Sequence, residues 1–310
     1  MAVDFASPVP DDGYIWWYVD AMSDDGRHAL TLIALVGSVF SPYYAHARRR
    51  GRGDPQHHCA LNVALYGATG KRWSMTERGR AQLQRTTHGL CIGPSRVEWD
   101  GATLTVRIDE IGVPIPHRLR GCVRLYCDAM NQQDFALDAA GRHRWHPLAP
   151  NARADVEFEH PRMRWSGQGY LDSNRGSEPL ERAFVSWDWS RAPMRDGSAA
   201  MLYDVVPREG PRRCIAVRVG RHGDAEPFEA PPPAGLPSTL WRVSRGTRSD
   251  AGSIARVRAT LEDTPFYARS MVDVQLLGER VTAMHESLSL TRFDTRWVQT
   301  LLPFRMPRRP

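Results

Sequence analysis

Residues 164–206 read RWSGQGYLDSNRGSEPLERAFVSWDWSRAPMRDGSAAMLYDVV. Within this stretch, residues 184–189 alternate with the two-residue period of a half-buried strand, and residues 199–206 form an apolar run after the turn Asp196-Gly197. Residues 173–180 carry the glycine and the proline that are typical of a loop. The order of strand, loop, strand, turn and strand predicts β structure in this part of the chain.

The same pattern continues on both sides of this stretch. Strands are predicted over residues 13–20, 28–40, 59–66, 72–77, 91–99, 103–110, 117–125, 155–159, 163–171, 183–189, 199–206, 213–220, 239–245, 254–261 and 281–292. The dipeptide Asp100-Gly101, between two alternating runs, is the clearest hairpin signal. Short strands about ten residues apart, without a long amphipathic helical period, predict an all-β sandwich or barrel, and two such sets predict two antiparallel β-barrels in tandem.

The boundary between the two predicted domains lies near a polar, proline-bounded region at residues 128–150. We therefore predict an N-terminal domain over residues 1–155 and a C-terminal domain over residues 156–310. Residues 1–13 are expected to be disordered or loosely docked, and the basic C-terminal tail RMPRRP is expected to be frayed. Residues 47–54, which read ARRRGRGD, are expected to form a basic loop.

The composition, with 42% hydrophobic and 25% charged residues, is ordinary for a soluble globular protein. The formal charge of +6 comes almost wholly from arginine, because Lys71 is the only lysine. This balance fits an anionic membrane surface, nucleic acid, or the preference of a GC-rich genome for arginine codons. We expect no nucleic-acid partner, because no base-stacking motif accompanies the arginine cluster at residues 48–52.

The five cysteines lack CxxC spacing, which predicts free and mostly buried thiols in a reducing compartment. The N-terminal sequence MAVDFASPVPDDG lacks the pattern of a signal peptide. The longest apolar run, residues 29–40, is too short for a helical membrane span of about 20 residues. We therefore expect a cytoplasmic protein that lies on a membrane without crossing it.

The sequence predicts neither a cofactor nor a metal. It contains no GxGxxG between a strand and a helix and no Walker loop. The pairs His143/His146 and Cys122/Cys127 lack the spacing of structural zinc sites.

Carboxylates interleaved with tryptophan and tyrosine are the remaining candidates for chemistry. Burial of an aspartate in an apolar, aromatic pocket raises its pKa, so that it acts as an acid near neutral pH, and aromatic faces stabilise a developing cation. These groups suit the protonation of an alkene followed by attack of water, but they also suit a sugar-cleaving carboxylate pair. Asp172 would also be explained as a turn cap, and Asp188 faces either solvent or the interior of a closed barrel.

Several segments carry a family resemblance. They are GYIWWYVDAMSDDGRHALTLIALVGSVFSPYYAHARRR, HHCALNVALYG, RWSMTERG, RHRWHPLAP, RWSGQGYLDSN and WDWSRA, together with TPFYAR and HESLSLTRF nearer the C-terminus. They resemble the carotenoid 1,2-hydratases, also called hydroxyneurosporene synthases. That family is similar to a wider group of proteins with two lipocalin-like β-barrels, which includes some fungal Diels–Alder cyclases. In the wider group an aromatic-Asp-His motif precedes a WDW-type strand, whereas here Ser173 follows Asp172 in place of the histidine.

The resemblance implies cofactor-free addition of water to the terminal C1=C2 bond of an acyclic carotenoid, such as neurosporene or lycopene, in carotenoid biosynthesis. On this hypothesis Asp172 donates a proton to C2 and leaves a tertiary cation at C1. Any of three further carboxylates would position water or accept its proton: Asp188, Asp20 or Asp204. The residues expected to line the substrate pocket are Trp16, Trp17, Tyr18, Tyr170, Asn174, Trp187 and Trp189.

Other functions fit the same residues. A non-catalytic carrier of polyenes needs no carboxylate in its cavity, and a pericyclic cyclase or a glycan-acting enzyme would use the same scaffold. A glycan site would show a polar groove with two carboxylates at glycosidase separation. Because a carotenoid is insoluble in water, we also expect peripheral docking on anionic lipid through the basic surface and the aliphatic residues 29–40.

Overall fold

The computed structural model describes residues 3–67 and 70–309 and divides the chain into two compact units. The first unit comprises Met1–Ala136, Arg142–Pro179 and Thr300–Pro310, and the second comprises Leu137–Gly141 and Leu180–Gln299. Strands dominate both units, so the all-β prediction is confirmed. In the described part of the chain, no helix is long and apolar enough to cross a membrane.

The first unit is built on a 13-stranded sheet. Its strands and its helix are β1 (Tyr14–Ser23), β2 (His28–Val36), α1 (Pro42–Arg49), β3 (Cys59–Gly67), β4 (Arg72–Arg78), β5 (Leu83–Arg85), β6 (Gly89–Ile92), β7 (Ser95–Trp99), β8 (Thr103–Ile111), β9 (Arg118–Tyr126), β10 (Phe135–Ala136), β11 (His143–His160), β12 (Met163–Gly176) and β22 (Arg308–Arg309). The strand order is β22-β4-β3-β2-β1-β12-β11-β9-β8-β7-β6-β5, with β10 paired to β11.

This sheet curls back on itself. Ser74 Oγ on β4 donates to the carbonyl of Ile111 at the end of β8 (2.9 Å), and Val113 N donates to the carbonyl of Trp73 (2.9 Å). The two strands are far apart in the strand order, so these bonds require the curvature of a barrel wall. The apolar positions of β1, β2 and β3 on the concave side form a hydrophobic core.

The second unit is built on a 7-stranded antiparallel sheet and a separate 2-stranded ribbon. Its strands and helices are α2 (Leu180–Ala183), β13 (Phe184–Pro193), β14 (Ala199–Pro207), β15 (Arg213–Val219), β16 (Ala225–Pro227), β17 (Pro233–Leu236), β18 (Arg245–Arg248), β19 (Arg256–Asp263), β20 (Tyr267–Leu276), β21 (Glu279–Ser289), α3 (Leu290–Phe293) and α4 (Arg296–Leu301). The sheet order is β16-β15-β14-β13-β21-β20-β19, and β17 pairs with β18. Each unit therefore has its own sheet of mainly antiparallel strands, as the sequence predicts.

The predicted boundary at residues 155/156 falls inside β11, so it needs correction. The segment that suggested a linker, HRWHPLAP, is the first half of β11. Its two prolines lie where the pairing of β11 with β12 shifts register, between His146 and Ala149 and between Ala149 and Ala152. Proline is tolerated at such bulges because no ladder hydrogen bond needs its missing N–H. The long hairpin of β11 and β12 therefore stays with the first unit.

The ends of the chain and the arginine-rich segment are also more ordered than expected. Near the N-terminus, Phe5 is buried against Trp17, with ring centroids 4.8 Å apart. Near the C-terminus, Arg308 of strand β22 forms an ion pair with Glu77. The segment predicted as a basic loop begins inside α1, whose N-cap Ser41 accepts from two backbone N–H groups. The signals for these contacts lie elsewhere in the chain, which is why a local pattern missed them.

Several strand predictions differ from the structure. Residues 91–99 form two strands, β6 and β7, separated by a tight turn at Gly93 with a positive φ of 59°. Strand β20 was not predicted, although it is one of the longer strands of the second unit. Residues 239–244 form a turn, so that β18 begins only at Arg245.

Candidate functional site

Asp172 lies near the middle of β12 with only 4% of its surface exposed. Its Oδ2 accepts a hydrogen bond from the Tyr170 hydroxyl (2.8 Å) and a second from Trp145 Nε1 (3.0 Å). Tyr170 reaches it because residues two apart on a strand point to the same face, and Trp145 reaches it from the neighbouring strand β11. Two aromatic donors therefore hold one oxygen of a buried carboxyl group.

Strand β1 supplies the aromatic wall beside this carboxyl group. Its cross-strand pairs with β12 are Tyr18–Asp172, Trp16–Asn174 and Asp20–Tyr170. All six side chains share one face of the sheet, and all are buried. The rings of Tyr18 and Tyr170 meet edge to face, with centroids 6.0 Å apart. The register thus brings together six of the residues that the sequence nominated.

Asp20 is the second carboxyl group on this face. It lies opposite Tyr170 on one side and opposite Thr31 of β2 on the other, and it is fully buried. Its position relative to Asp172 is that of a diagonal cross-strand neighbour, a separation of about 7–8 Å along the sheet. Two buried carboxyl groups therefore flank the same aromatic wall.

A further row of contacts fixes the aromatic wall. Tyr14 stacks on Trp16 with centroids 4.9 Å apart, and its hydroxyl shares a hydrogen bond with His143 Nδ1 (2.9 Å). The other ring nitrogen of His143 lies 3.4 Å from Glu178 Oε1. These contacts position Trp16 through a buried polar chain that ends at a carboxylate.

Trp17, which the sequence also nominated, does not share this wall. It points to the opposite face of β1, into the hydrophobic core of the first unit. There it borders a cavity of about 290 Å³ together with His146 and Ser173. The alternation of a strand dictates this outcome, because neighbouring residues cannot face the same side.

Asp188 and Asp204 lie in the second unit, on adjacent strands and directly opposite each other. They share their sheet face with Leu202, which belongs to the unit's hydrophobic core. Asp188 therefore lies on the side of its sheet that carries the hydrophobic core of the second unit. Trp187 and Trp189 point to the other face of β13, where Trp187 contacts Tyr203 with centroids 6.0 Å apart.

Asp188 accepts hydrogen bonds from Ser287 Oγ and from Gly246 N (3.2 Å). Burial raises the pKa of Asp188 to about 6, although both hydrogen bonds favour the ionised form. His285 Nε2 lies 3.9 Å from Asp188 Oδ1 and shares a hydrogen bond with the Gly246 carbonyl (2.6 Å). Burial lowers the pKa of His285 to about 4, so this imidazole is neutral at pH 7. Asp188 is thus a half-buried acid, with 29% of its side chain exposed.

Asp204 is engaged differently from its neighbour. Arg248 on β18 binds it in bidentate fashion, with Nε 2.9 Å from Oδ2 and Nη2 2.7 Å from Oδ1. Arg248 and Asp204 therefore form a bidentate ion pair, with two parallel hydrogen bonds. Asp204 therefore anchors the β17–β18 ribbon, as Asp188 does through Gly246.

Local sequence patterns missed several residues of both clusters: Trp145, His143, Glu178, Arg248, His285 and Ser287. The signal for two of them was present, because His143 and Trp145 alternate within HRWHPLAP as on a strand. The others come from segments whose pairing is decided far away along the chain. Among residues 3–67 and 70–309, no group of three His, Cys, Asp or Glu side chains is arranged to hold a metal ion.

The sequence model of the family described as "Carotenoid hydratase CrtC" matches residues 32–310. The chain belongs to the carotenoid hydratase family. It is 58% identical over 297 residues to the acyclic carotenoid 1,2-hydratase of Thiocapsa roseopersicina, covering 96% of this chain and 73% of that protein. The enzyme of the same name from Rubrivivax gelatinosus is 57% identical over 307 residues, covering 98% and 76%. The one from Cereibacter sphaeroides is 40% identical over 280 residues, covering 90% and 98%.

Solved structures place this carotenoid hydratase family member in a known fold. An AttH-type protein from Nitrosomonas europaea superposes with a TM-score of 0.58 at 14% identity, covering 93% of this chain and 99% of that one. Kievitone hydratase from Nectria haematococca superposes with a TM-score of 0.57 at 7% identity, covering 93% and 92%. At these identities the likeness shows the fold alone. It agrees with the lipocalin-like architecture predicted from the sequence.

Proposed function

We propose that this chain is an acyclic carotenoid 1,2-hydratase of carotenoid biosynthesis, in which Asp172 is the proton donor and no cofactor takes part. The reaction class rests on membership of the carotenoid hydratase family and on relatives that carry that name. The observation that supports Asp172 is its place on a buried aromatic face, held by Tyr170 and Trp145.

In the first step the carboxyl group of Asp172 transfers its proton to C2 of the terminal double bond. The π electrons form the new C2–H bond, C1 becomes a tertiary cation, and Asp172 becomes a carboxylate. Tyr170 and Trp145 both donate to Oδ2 of this carboxyl group. The same two donors stabilise the carboxylate that this step leaves, as an oxyanion site does.

The protein must stabilise the cation at C1 until a water molecule attacks it. The rings of Tyr18 and Trp16 lie on the same face as Asp172 and offer negative π faces, while Asn174 adds a polar edge. Burial of this face limits the access of bulk water, which favours a single positioned water molecule. That water attacks C1 and loses a proton to a carboxylate.

Asp20 is the carboxylate that we assign to this second proton transfer. Passage of that proton from Asp20 back to the Asp172 carboxylate restores the starting state. Asp20 lies on the face of Asp172 and on the neighbouring strand. Asp188, the other candidate carboxylate, lies in the second unit, and its pKa of about 6 suits proton exchange near neutral pH. Asp204 is less suited, since Arg248 holds it as an ion pair. Trp187 and Trp189 are proposed to contact the polyene chain.

The low solubility of the substrate in water determines the cellular location that we propose for the protein. A C40 polyene partitions into lipid, so we propose a cytoplasmic enzyme that associates with the surface of an anionic membrane and has no nucleic-acid partner. The formal charge of +6 supports this assignment.

The test is turnover of neurosporene or lycopene in detergent micelles, without oxygen or added cofactor, in water enriched in ¹⁸O. We expect a product heavier by one labelled water. Asp172→Asn is expected to lower turnover by at least about 100-fold with an unchanged circular dichroism spectrum. The matched control is Asp155→Asn on β11, because Asp155 also accepts from a tyrosine hydroxyl (Tyr126, 3.0 Å) but lies near the surface.

Two outcomes would contradict the proposal. Wild-type turnover by Asp172→Asn would remove Asp172 as the proton donor. Carotenoid that co-purifies with the protein but is never converted would identify a carrier instead of an enzyme.

A further inference from the structure

We propose that an exposed aromatic turn of the second unit, together with the start of helix α4, is the surface that docks on an anionic lipid bilayer. The inference rests on the proposed function, because a reaction on a lipid-soluble polyene requires the protein to meet a membrane. We call this surface the Trp turn and define it as residues 239–243 with Trp297 of α4.

The apolar part of the Trp turn is unusually exposed. Leu240 is 97% exposed, and Trp241 and Trp297 are each 45% exposed. The two tryptophan rings are nearly parallel, with centroids 6.2 Å apart. Apolar side chains left in water lose the favourable free energy of burial, so a cluster of three indicates a surface that another phase covers.

The backbone of the Trp turn is held firmly from the protein side. Arg242 N donates to the Thr239 carbonyl (2.9 Å), and Val243 N donates to Thr239 Oγ1 (3.1 Å). Asp263 Oδ2 accepts from Leu240 N (2.8 Å), and Arg292 Nη1 donates to the Trp241 carbonyl (2.7 Å). The polar groups of the turn thus bond inward, while its large side chains project outward in a fixed arrangement.

Arginines surround the apolar cluster. Arg242 and Arg296 are exposed, and the guanidinium of Arg292 lies 5.9 Å from the ring centroid of Trp297. Asp263 uses a carboxylate oxygen to bind the turn, and Asp294 is the nearby exposed acid in sequence. Tryptophan and arginine together suit the interface of an anionic bilayer, where indole rings lie at the headgroup level and guanidinium groups bind lipid phosphates.

The Trp turn replaces the docking element predicted from the sequence. Most of residues 29–40 form strand β2, which is buried on both faces, and so cannot enter lipid. In the arginine cluster, Arg48 is buried with its guanidinium 4.4 Å from the Tyr44 ring centroid. The apolar and basic groups needed for docking are instead exposed together at the Trp turn.

The experiment is flotation of the full chain with vesicles of phosphatidylcholine, with and without phosphatidylglycerol. The wild type is expected to float with the anionic vesicles and to bind less at high salt. A triple variant with Leu240→Ala, Trp241→Ala and Trp297→Ala is expected to lose binding by at least about tenfold. Ile254→Ala is the matched control, because Ile254 is 74% exposed in the same unit but lies outside the Trp turn.

Turnover separates this inference from the proposed function. The triple variant should keep wild-type turnover of micellar carotenoid and lose turnover of carotenoid embedded in anionic vesicles. Wild-type flotation by the folded triple variant would overturn the docking surface while leaving the hydratase proposal intact. The docking surface would also be overturned if the wild-type chain did not bind vesicles but self-associated through the Trp turn, because the turn would then be a protein interface. Absence of micellar turnover in the wild type would contradict only the hydratase.

Discussion

At the residue scale, Asp172 is held by groups that are themselves large and buried. The hydroxyl of Tyr170 lies within hydrogen-bond distance of both Asp172 Oδ2 (2.8 Å) and Trp145 Nε1 (3.3 Å), so the three side chains form a closed triangle. Buried polar networks of this kind orient a reacting group without relying on solvent. The network therefore fixes the orientation of the Asp172 carboxyl group.

Tyr170→Phe removes one of the two hydrogen bonds to Asp172 and leaves the ring in place. A hydrogen bond to a charged group is worth about 1.5–3 kcal/mol, so we expect turnover to fall by roughly 10- to 100-fold. The loss should appear mainly in kcat, because the carboxylate forms only after proton transfer. The control is Tyr126→Phe, which removes the hydroxyl that bonds Asp155. Equal turnover in the two variants would contradict the role of Tyr170.

Asp188 predicts a pH effect on stability. Its pKa in the folded protein is about 6, above the ordinary value of 3.8, so the folded state binds this proton more tightly than the unfolded chain does. Below about pH 4 the Asp188 carboxyl group is protonated in both the folded and the unfolded state, so it does not change the free energy of unfolding as pH varies. Between about pH 4 and pH 6 the unfolded state releases the proton first, so the free energy of unfolding falls as pH rises, by roughly 2–3 kcal/mol in all.

Asp188→Asn is expected to remove this contribution, as measured by urea unfolding at several pH values. Because burial lowers the pKa of His285 to about 4, His285 contributes a slope of the opposite sign over the same range, so the prediction concerns the difference between the variant and the wild type. Asp134 provides the contrast, because Arg144 and Arg175 hold its pKa at about 2. Its contribution is present above pH 4 and is lost only as pH falls from about 4 towards 2. The same pH dependence between pH 4 and pH 6 in the wild type and in Asp188→Asn would contradict this contribution of Asp188.

At the scale of single elements, the short strand β22 stabilises the edge of the first unit's sheet. It pairs in parallel with β4, and Arg308 extends from it to Glu77 and to the His57 carbonyl (3.0 Å). Glu77 is almost fully buried, and its other partner is His58 Nδ1 (2.9 Å). The C-terminal segment therefore supplies the cation for a buried carboxylate.

Arg308→Ala is expected to destabilise the protein by about 3 kcal/mol, because it leaves Glu77 buried without its cation. The measurement is urea unfolding followed by tryptophan fluorescence. Arg309→Ala changes the exposed neighbour on the same strand and should shift the free energy of unfolding by less than about 0.5 kcal/mol. Similar effects of the two substitutions would mean that β22 acts through its backbone and not through the ion pair.

At the scale of the whole molecule, all five cysteines are free, as the sequence predicts. Burial raises the pKa of Cys59, Cys127 and Cys214 to about 12, so these thiols are protonated at neutral pH. A protonated, shielded thiol reacts slowly with disulfide reagents. The thiols of the folded chain should therefore differ strongly in reactivity.

Titration with a chromogenic disulfide reagent at pH 8 is expected to show slow reaction of Cys59, Cys127 and Cys214 in the folded protein. All five thiols should react rapidly in denaturant. Peptide mapping after brief alkylation would identify which thiols react first. Rapid labelling of Cys59 in the folded chain would contradict the burial of this residue in the hydrophobic core of the first unit.

Local pattern was enough to predict the β class and the positions of most strands. A period of two residues, a hairpin dipeptide such as Asp100-Gly101 and a charged turn such as Asp196-Gly197 act within a few residues of chain. The grouping of carboxylates with aromatics, and with it the resemblance to carotenoid hydratases, was also visible in the sequence. Alternation alone places Tyr170 and Asp172 on one face.

Pairing between distant strands decided the rest. The contact of Trp145 with Asp172, the stacking of Tyr14 with Trp16 beside His143, and the placement of Asp20 opposite Tyr170 depend on the register of β1, β11 and β12. A shift of one residue in any of these pairs would turn every side chain to the opposite face. Residues more than 100 positions apart, such as Tyr14 and His143, meet only because the sheet fixes that register, which no local pattern encodes.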